Sequence, residues 1–177
     1  MDPRVRSVTR KLISAAPGAR RFYDINLRAN SYTPALVCEL LRQANVVKLN
    51  DSEVASVEGF LGLSRAGLEE FCRGAAKRFG WQAVCLTRGE RGCAVLIDRV
   101  YAEVEGYPVL VADAVGAGDA FAAAFLHGLG EGWRAAEIGD FANRLGALVA
   151  SRPGAIPEWT LEECRALSRA RPLVLKY

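Results

Sequence analysis

The sequence predicts an α/β fold, a three-layer αβα sandwich on a largely parallel sheet that carries a β-hairpin or antiparallel edge. Three observations point to it. Short runs rich in β-branched residues alternate with longer stretches whose apolar residues recur at helical spacing, the order that parallel strands and crossover helices require. Two strand-like runs are separated only by the turn Arg88-Gly89-Glu90-Arg91-Gly92, which makes them antiparallel neighbours. Finally, Asp113-Ala114-Val115-Gly116-Ala117-Gly118-Asp119-Ala120-Phe121 leads into a small, apolar run, a glycine-rich turn opening a buried helix near Gly118.

The elements follow in order. Val5, Val8, Leu12 and Ile13 lie at helical spacing between Pro3 and Pro17, so a first helix starts and stops at prolines. Arg21 to Arg28 reads as a strand ending in polar side chains, Pro34 to Ala44 as a helix, Val46 to Leu49 as a strand, and Ser52 towards Phe60 as a third helix behind Asn50 and Asp51. Leu68 to Phe79 is amphipathic, Ala83 to Thr87 and Cys93 to Ile97 are strands, and the alternation in Tyr101 to Val104 adds an edge. Helices at Gly118–Leu129 and Trp133–Ala150, a loop at Ser151–Pro157 and a helix at Leu161–Arg169 complete a chain without repeats or linkers, read as a single domain over 1–177.

Composition narrows the function. A chain of 177 residues with 51% hydrophobic and 24% charged residues suits one globular domain with a good core. The 23 Lys and Arg exceed the 20 Asp and Glu by only three; the one local excess, Arg4, Arg6, Arg10, Lys11, Arg20 and Arg21, reads as a solvated helix face, which argues against nucleic acid. Five cysteines without Cys-x-x-Cys spacing, two of them in strand-like runs, read as reduced core residues of a cytoplasmic protein. No apolar run is long enough to cross a membrane, and the N-terminus lacks a signal-like apolar segment.

In open α/β sheets ligands bind beyond the carboxyl ends of the strands. The polar residues there are Asp24, Asn26 and Arg28; Lys48, Asn50 and Glu53; Thr87, Gly89 and Gly92; and Asp113 to Asp119. Each has a bland reading as a turn, cap or dipole partner, but four clusters on one edge point to a polyanion site. Asp119 is either a helix cap or a general base beside N–H groups that stabilise a transferring anion. The glycine turn is no dinucleotide fingerprint, because Phe121 stands where Gly or Ala is needed, and the lysine of a P-loop is missing. The single histidine, His127, reads as a packed or helix-surface residue.

Asp113 to Phe121 resembles the second signature of the ribokinase-like (PfkB) carbohydrate kinases, usually Asp-Thr-x-Gly-Ala-Gly-Asp-x-Phe, with Ala114 in place of the threonine. Asp24-x-Asn26-x-Arg28, Asn50-x-x-Glu53, Thr87-x-Gly89-x-x-Gly92, Phe141-Ala142-Asn143 and Ser151-Arg152-Pro153-Gly154-Ala155 agree with that family in order and spacing, from about Phe22 to Pro157. The resemblance implies an ATP-dependent sugar kinase. Asp119 would be the base on the sugar hydroxyl, and Gly116, Ala117 and Gly118 the anion hole. Glu53 with Asn50 would hold Mg²⁺ and the triphosphate through water; Thr87, Gly89 and Gly92 would line the nucleotide; Ala142 and Asn143 would flank adenine. Asp113, with carbonyls of Val115, Val149, Arg152 and Gly154, would resemble a K⁺ or other monovalent-cation loop, from which Ala114 removes the hydroxyl of the usual threonine. Asn26 and Arg28 would be substrate residues, Arg28 near the acceptor or the phosphates, in a segment that resembles fructokinase-like and 2-keto-3-deoxygluconate-kinase-like branches.

Nothing before Phe22 resembles the sugar-binding half and lid with which family members begin. The expectation is therefore the C-terminal, nucleotide-binding part, truncated at its N-terminus, with an exposed sheet edge that favours a homodimer. The alternative is a non-catalytic nucleotide-binding or oligomerisation module derived from such a kinase.

Overall fold

The computed structural model describes residues 2–28, 30–63 and 67–170. Five strands form a mixed sheet in the order β1-β2-β3-β4-β5, and the chain divides into two compact units, Met1–Val84 and Cys85–Tyr177. The α/β class and the antiparallel edge are those expected from the sequence.

In the first unit, helix α1 (Pro3–Ala15) is capped by Asp2, whose carboxylate accepts the Arg4 N–H at 2.7 Å. Part of the basic excess is paired, since Arg6 and Arg10 both donate to Glu39 of α2 (Pro34–Gln43). Strand β1 (Phe22–Asp24) runs parallel to β2 (Val46–Asn50), with Asp24 opposite Lys48. β1 is shorter than the predicted Arg21–Arg28, because Asn26 takes a left-handed conformation (φ +42°) that turns the chain out of the sheet. Helices α3 (Asp51–Leu61) and α4 (Leu68–Phe79) end on left-handed Gly62 and Gly80, which have no β-carbon to obstruct that turn. Val37 and Leu41 of α2, Val57 of α3, and Phe71 and Ala75 of α4 are buried with the β2 valines, and the Trp81 indole N–H reaches the Leu41 carbonyl at 2.9 Å.

Strand β3 (Ala83–Thr87) leads into a 3-10 turn at Gly89–Arg91 and then into the hairpin β4 (Cys93–Ile97) and β5 (Val100–Val104). Asp98 and Arg99 join these two strands and both have positive φ, the backbone that a two-residue hairpin turn demands. Helix α5 (Ala117–Gly130) begins one residue before the expected Gly118, and α6 (Ala135–Ala150) begins after Arg134 rather than at Trp133. Trp133 serves as a ring partner instead: its ring stands edge-on to His127 at 5.4 Å and to Phe141 at 5.5 Å, and the lone histidine lies exposed on the surface of α5 against that ring. Helix α7 (Leu161–Ala166) stops short of Arg169, because Leu167 turns extended. All five cysteines are free, with Cys72, Cys85, Cys93 and Cys164 buried as core residues.

Candidate active site

The glycine turn of the second unit is built by Asp113. One carboxylate oxygen accepts the Val115 N–H at 2.9 Å and the other accepts the Gly154 N–H at 3.2 Å, so a single side chain holds its own loop and the loop beyond α6. The Ala150 carbonyl at the end of α6 accepts the N–H groups of Ala112 (2.9 Å) and Asp113 (3.2 Å) from the other side. Of the carbonyls expected from the sequence to line a cation loop, that of Val149 accepts the Arg152 N–H at 3.1 Å.

Gly116 occupies the N-cap position of α5 with φ +83°. It lies against the main chain of Ala155, so a β-carbon at 116 would overlap the Ala155 carbonyl oxygen. Glycine is therefore required twice, for torsion and for space. Asp119 falls in the first helical turn and not at the cap, and no side chain caps α5, so the cap reading of Asp119 does not hold. Its carboxylate is exposed and without a partner among the described residues. The first helical bond runs from the Ala120 N–H to the Gly116 carbonyl at 2.8 Å; the N–H groups of Gly118 and Asp119 precede it and meet no backbone carbonyl among the described residues. At the positive end of a fourteen-residue helix, two N–H donors without a backbone acceptor among the described residues can hold an anion, and the exposed Asp119 carboxylate beside them can take a proton.

The predicted nucleotide turn lies in the same unit. Thr87 ends β3, and Gly89 and Gly92 both take positive φ. A β-carbon on Gly92 would collide with the Val104 carbonyl and lie 2.5 Å from the Gly106 nitrogen, while one on Gly106 would collide with the Glu90 carbonyl and lie 2.9 Å from the Gly92 nitrogen. Ala142 is wholly buried, and the buried Asn143 amide donates to the carbonyls of Val104 and Glu105, each at 3.1 Å. In this structure Asn143 thus ties α6 to the end of β5. Nearby, the guanidinium groups of Arg144 and Arg169 stand over the Tyr107 ring, 4.5 and 4.4 Å from its centre, and its hydroxyl donates to Asp140 at 2.6 Å. Burial first, then the Asp140 hydrogen bond and charge, push the Tyr107 hydroxyl up to about 12.

In the first unit Asn50 caps α3, accepting the Glu53 N–H at 2.9 Å. Glu53 is buried, and both of its oxygens accept backbone N–H groups: Asn50 and Leu27, each at 2.8 Å. Lys48 is buried as well, 2.7 Å from the Asp24 carboxylate. Asn26 and Arg28 are exposed on the turn that leaves β1. Burial, followed by the charges of Glu53 and Asp24, pushes the Tyr23 hydroxyl up to about 12.

Residues 3–161 match the pfkB family carbohydrate kinase profile. The chain belongs to the pfkB family. An uncharacterised sugar kinase of Pyrococcus horikoshii is 30% identical over 155 residues, covering 85% of this chain and 47% of that protein. Two solved structures are similar as well. 2-Dehydro-3-deoxygluconokinase of Thermotoga maritima superposes with a TM-score of 0.76 at 21% identity, over 90% of this chain and 54% of that one, which shows the shared fold. A double mutant of Vibrio cholerae fructokinase, in fructose-, ADP- and potassium-bound form, superposes with a TM-score of 0.70 at 27% identity, over 87% of this chain and 52% of that one. This pfkB chain spans about half the length of the relatives it matches.

Some of what this pfkB chain does locally has no sequence signal of its own. The Ala155 main chain is the wall against which Gly116 is fitted, and nothing in the residue type alanine announces that. Gly106 does have a signal: it stands two residues past the end of the alternating edge strand, where a glycine marks a close backbone approach.

Proposed function

We propose that this chain is the nucleotide-binding, phosphoryl-transferring part of an ATP-dependent sugar kinase. The observation that carries the reading is the mouth of α5, where an exposed, unpartnered Asp119 carboxylate shares the first turn with two N–H groups that lack backbone acceptors. Asp119 would take the proton from the acceptor hydroxyl as its oxygen bonds to the γ-phosphorus and the bond to the ADP oxygen breaks. The N–H groups of the Gly116–Asp119 turn would hydrogen-bond the phosphoryl oxygens as charge spreads over them. Gly89 and Gly92 bring main chain, not side chains, to the surface that the nucleotide would occupy.

Magnesium, when bound, would neutralise charge on the phosphates. It keeps several waters and needs only one or two carboxylates. Glu53 fits that demand as an acceptor for water in the ion's shell, since each of its oxygens keeps a lone pair beyond the backbone N–H it holds. Asp113 and the carbonyls around it are proposed for a monovalent cation, by analogy with the potassium-bound fructokinase. The acceptor is a sugar met by Asn26 and Arg28, with fructose the candidate by analogy with the fructose-bound fructokinase and 2-dehydro-3-deoxygluconate the candidate by the resemblance of the Asp24–Arg28 segment.

Thermal unfolding with and without MgATP tests the reading. A ligand at about a hundred times its dissociation constant adds roughly 2.7 kcal/mol, so a clear upward shift at millimolar MgATP is expected, and none at all would overturn it. Coupled detection of ADP with each candidate sugar then assigns the acceptor.

A further inference from the structure

We propose that Lys48 is a positioning residue for substrate recognition: through Asp24, and together with Glu53, it fixes the turn that presents Asn26 and Arg28. The inference rests on the reading above that Asn26 and Arg28 face the acceptor. The turn is pinned residue by residue. Asp24, the last residue of β1, lies opposite Lys48 in the register, and its carboxylate accepts the Lys48 ammonium at 2.7 Å. The Ile25 N–H donates to the Lys48 carbonyl at 3.1 Å, and the Ile25 side chain is buried. Asn26 then takes φ +42°, a left-handed turn that asparagine tolerates better than most residues other than glycine and that swings the chain out of the sheet. Leu27 is caught next, its N–H on Glu53 at 2.8 Å, and the Arg28 carbonyl accepts the Ser31 N–H at 3.0 Å.

Residues 24, 25 and 27 are thus tied down while the side chains of 26 and 28 stay exposed. Lys48 supplies two of those ties, one from its side chain and one from its carbonyl. Its side chain is only 9% exposed, and burying a lysine costs free energy unless its ammonium is paired, as it is here with Asp24. An apolar residue would fill the same volume in β2 more simply. What the ammonium adds is a fixed direction for the Asp24 carboxylate at the point where the chain leaves the sheet.

The test compares Lys48→Met and Lys48→Arg in the full chain. Amide hydrogen exchange at Ile25 and Leu27 should quicken by about tenfold or more in Lys48→Met, the scale of one lost charge-assisted hydrogen bond, and fall back towards the parent rate in Lys48→Arg. In the phosphorylation of fructose or 2-dehydro-3-deoxygluconate, KM for the sugar should rise by about the same factor, while KM for ATP and kcat stay within about twofold. Unchanged exchange at both amides, or an equal rise in the two KM values, overturns the proposal. If the parent chain turns over neither sugar, the functional reading fails on its own, and the exchange rates still decide whether Lys48 holds the turn. Should Lys48→Met not fold, Asp24→Asn keeps an acceptor for the ammonium while removing the charge, and the same exchange rates must rise.

Discussion

Gly116 and Ala155 touch main chain to main chain: a β-carbon at 116 would overlap the Ala155 carbonyl oxygen and lie 2.7 Å from its carbon. Gly116→Ala must push the two loops apart and also carry an alanine at φ +83°. Strain of this kind costs about 1–3 kcal/mol. The variant should melt lower than the parent and lose its response to MgATP, and calorimetry showing an unchanged midpoint with the ATP shift intact would contradict this account.

Asp119 makes the opposite prediction. Its exposed carboxylate has no partner among the described residues, so Asp119→Asn should leave stability within about 0.5 kcal/mol of the parent. Removing a general base costs about a hundredfold to ten-thousandfold in turnover. Turnover of the variant within a factor of a few of the parent's would remove Asp119 from the base role.

Asn143 tests whether a residue expected at the nucleotide also holds the fold together. Its amide feeds two carbonyls at the end of β5 from a buried position, and leaving such groups unsatisfied costs about 1–3 kcal/mol. Asn143→Ala should therefore lower the denaturant midpoint without any ligand present. A variant as stable as the parent, with only its ATP affinity weakened, would assign the side chain to adenine alone.

The Tyr107 cluster sets the pH response. With its hydroxyl at about 12 in the folded chain, against about 10 for a free phenol, the unfolded state loses that proton first. Its contribution is whole below about pH 10 and is lost as the pH rises towards 12, as it is for Tyr23. Burial would raise the Asp140 carboxyl, but hydrogen bonds from Arg144, Tyr107 and Arg169 outweigh it and hold the group below the usual carboxylate range. Its contribution is present above about pH 4 and disappears on acidification. Denaturant midpoints followed across pH should decline less steeply in alkali for Tyr107→Phe and less steeply in acid for Asp140→Asn. Parallel curves for parent and variants would refute both assignments.

Where backbone chemistry is written in residue type, the sequence was a good guide. Asn50, expected as a turn or cap residue ahead of the third helix, does cap it, with Glu53 closing a capping box; the turn glycines at 89, 92 and 116 sit in turns, each with positive φ. The family itself was legible from motif order, and residues 3–161 match it. What could not be read was which partner a polar side chain chooses. Asp98 and Arg99 form a hairpin turn without a glycine because the flanking strands impose it, and Glu53 spends both oxygens on peptide groups far apart in sequence. Asp119 could equally have been a cap, and only the placement of Gly116 at that position decides otherwise.

Gly92 and Gly106 exclude each other's β-carbons, and nearly everything either would strike is main chain. That has a genetic consequence. A clash against a side chain can be relieved by trimming the neighbour, whereas a clash against a peptide group offers no residue to trim. Loss of either glycine should yield no intragenic suppressors at the opposing positions, and any revertants recovered should be true ones.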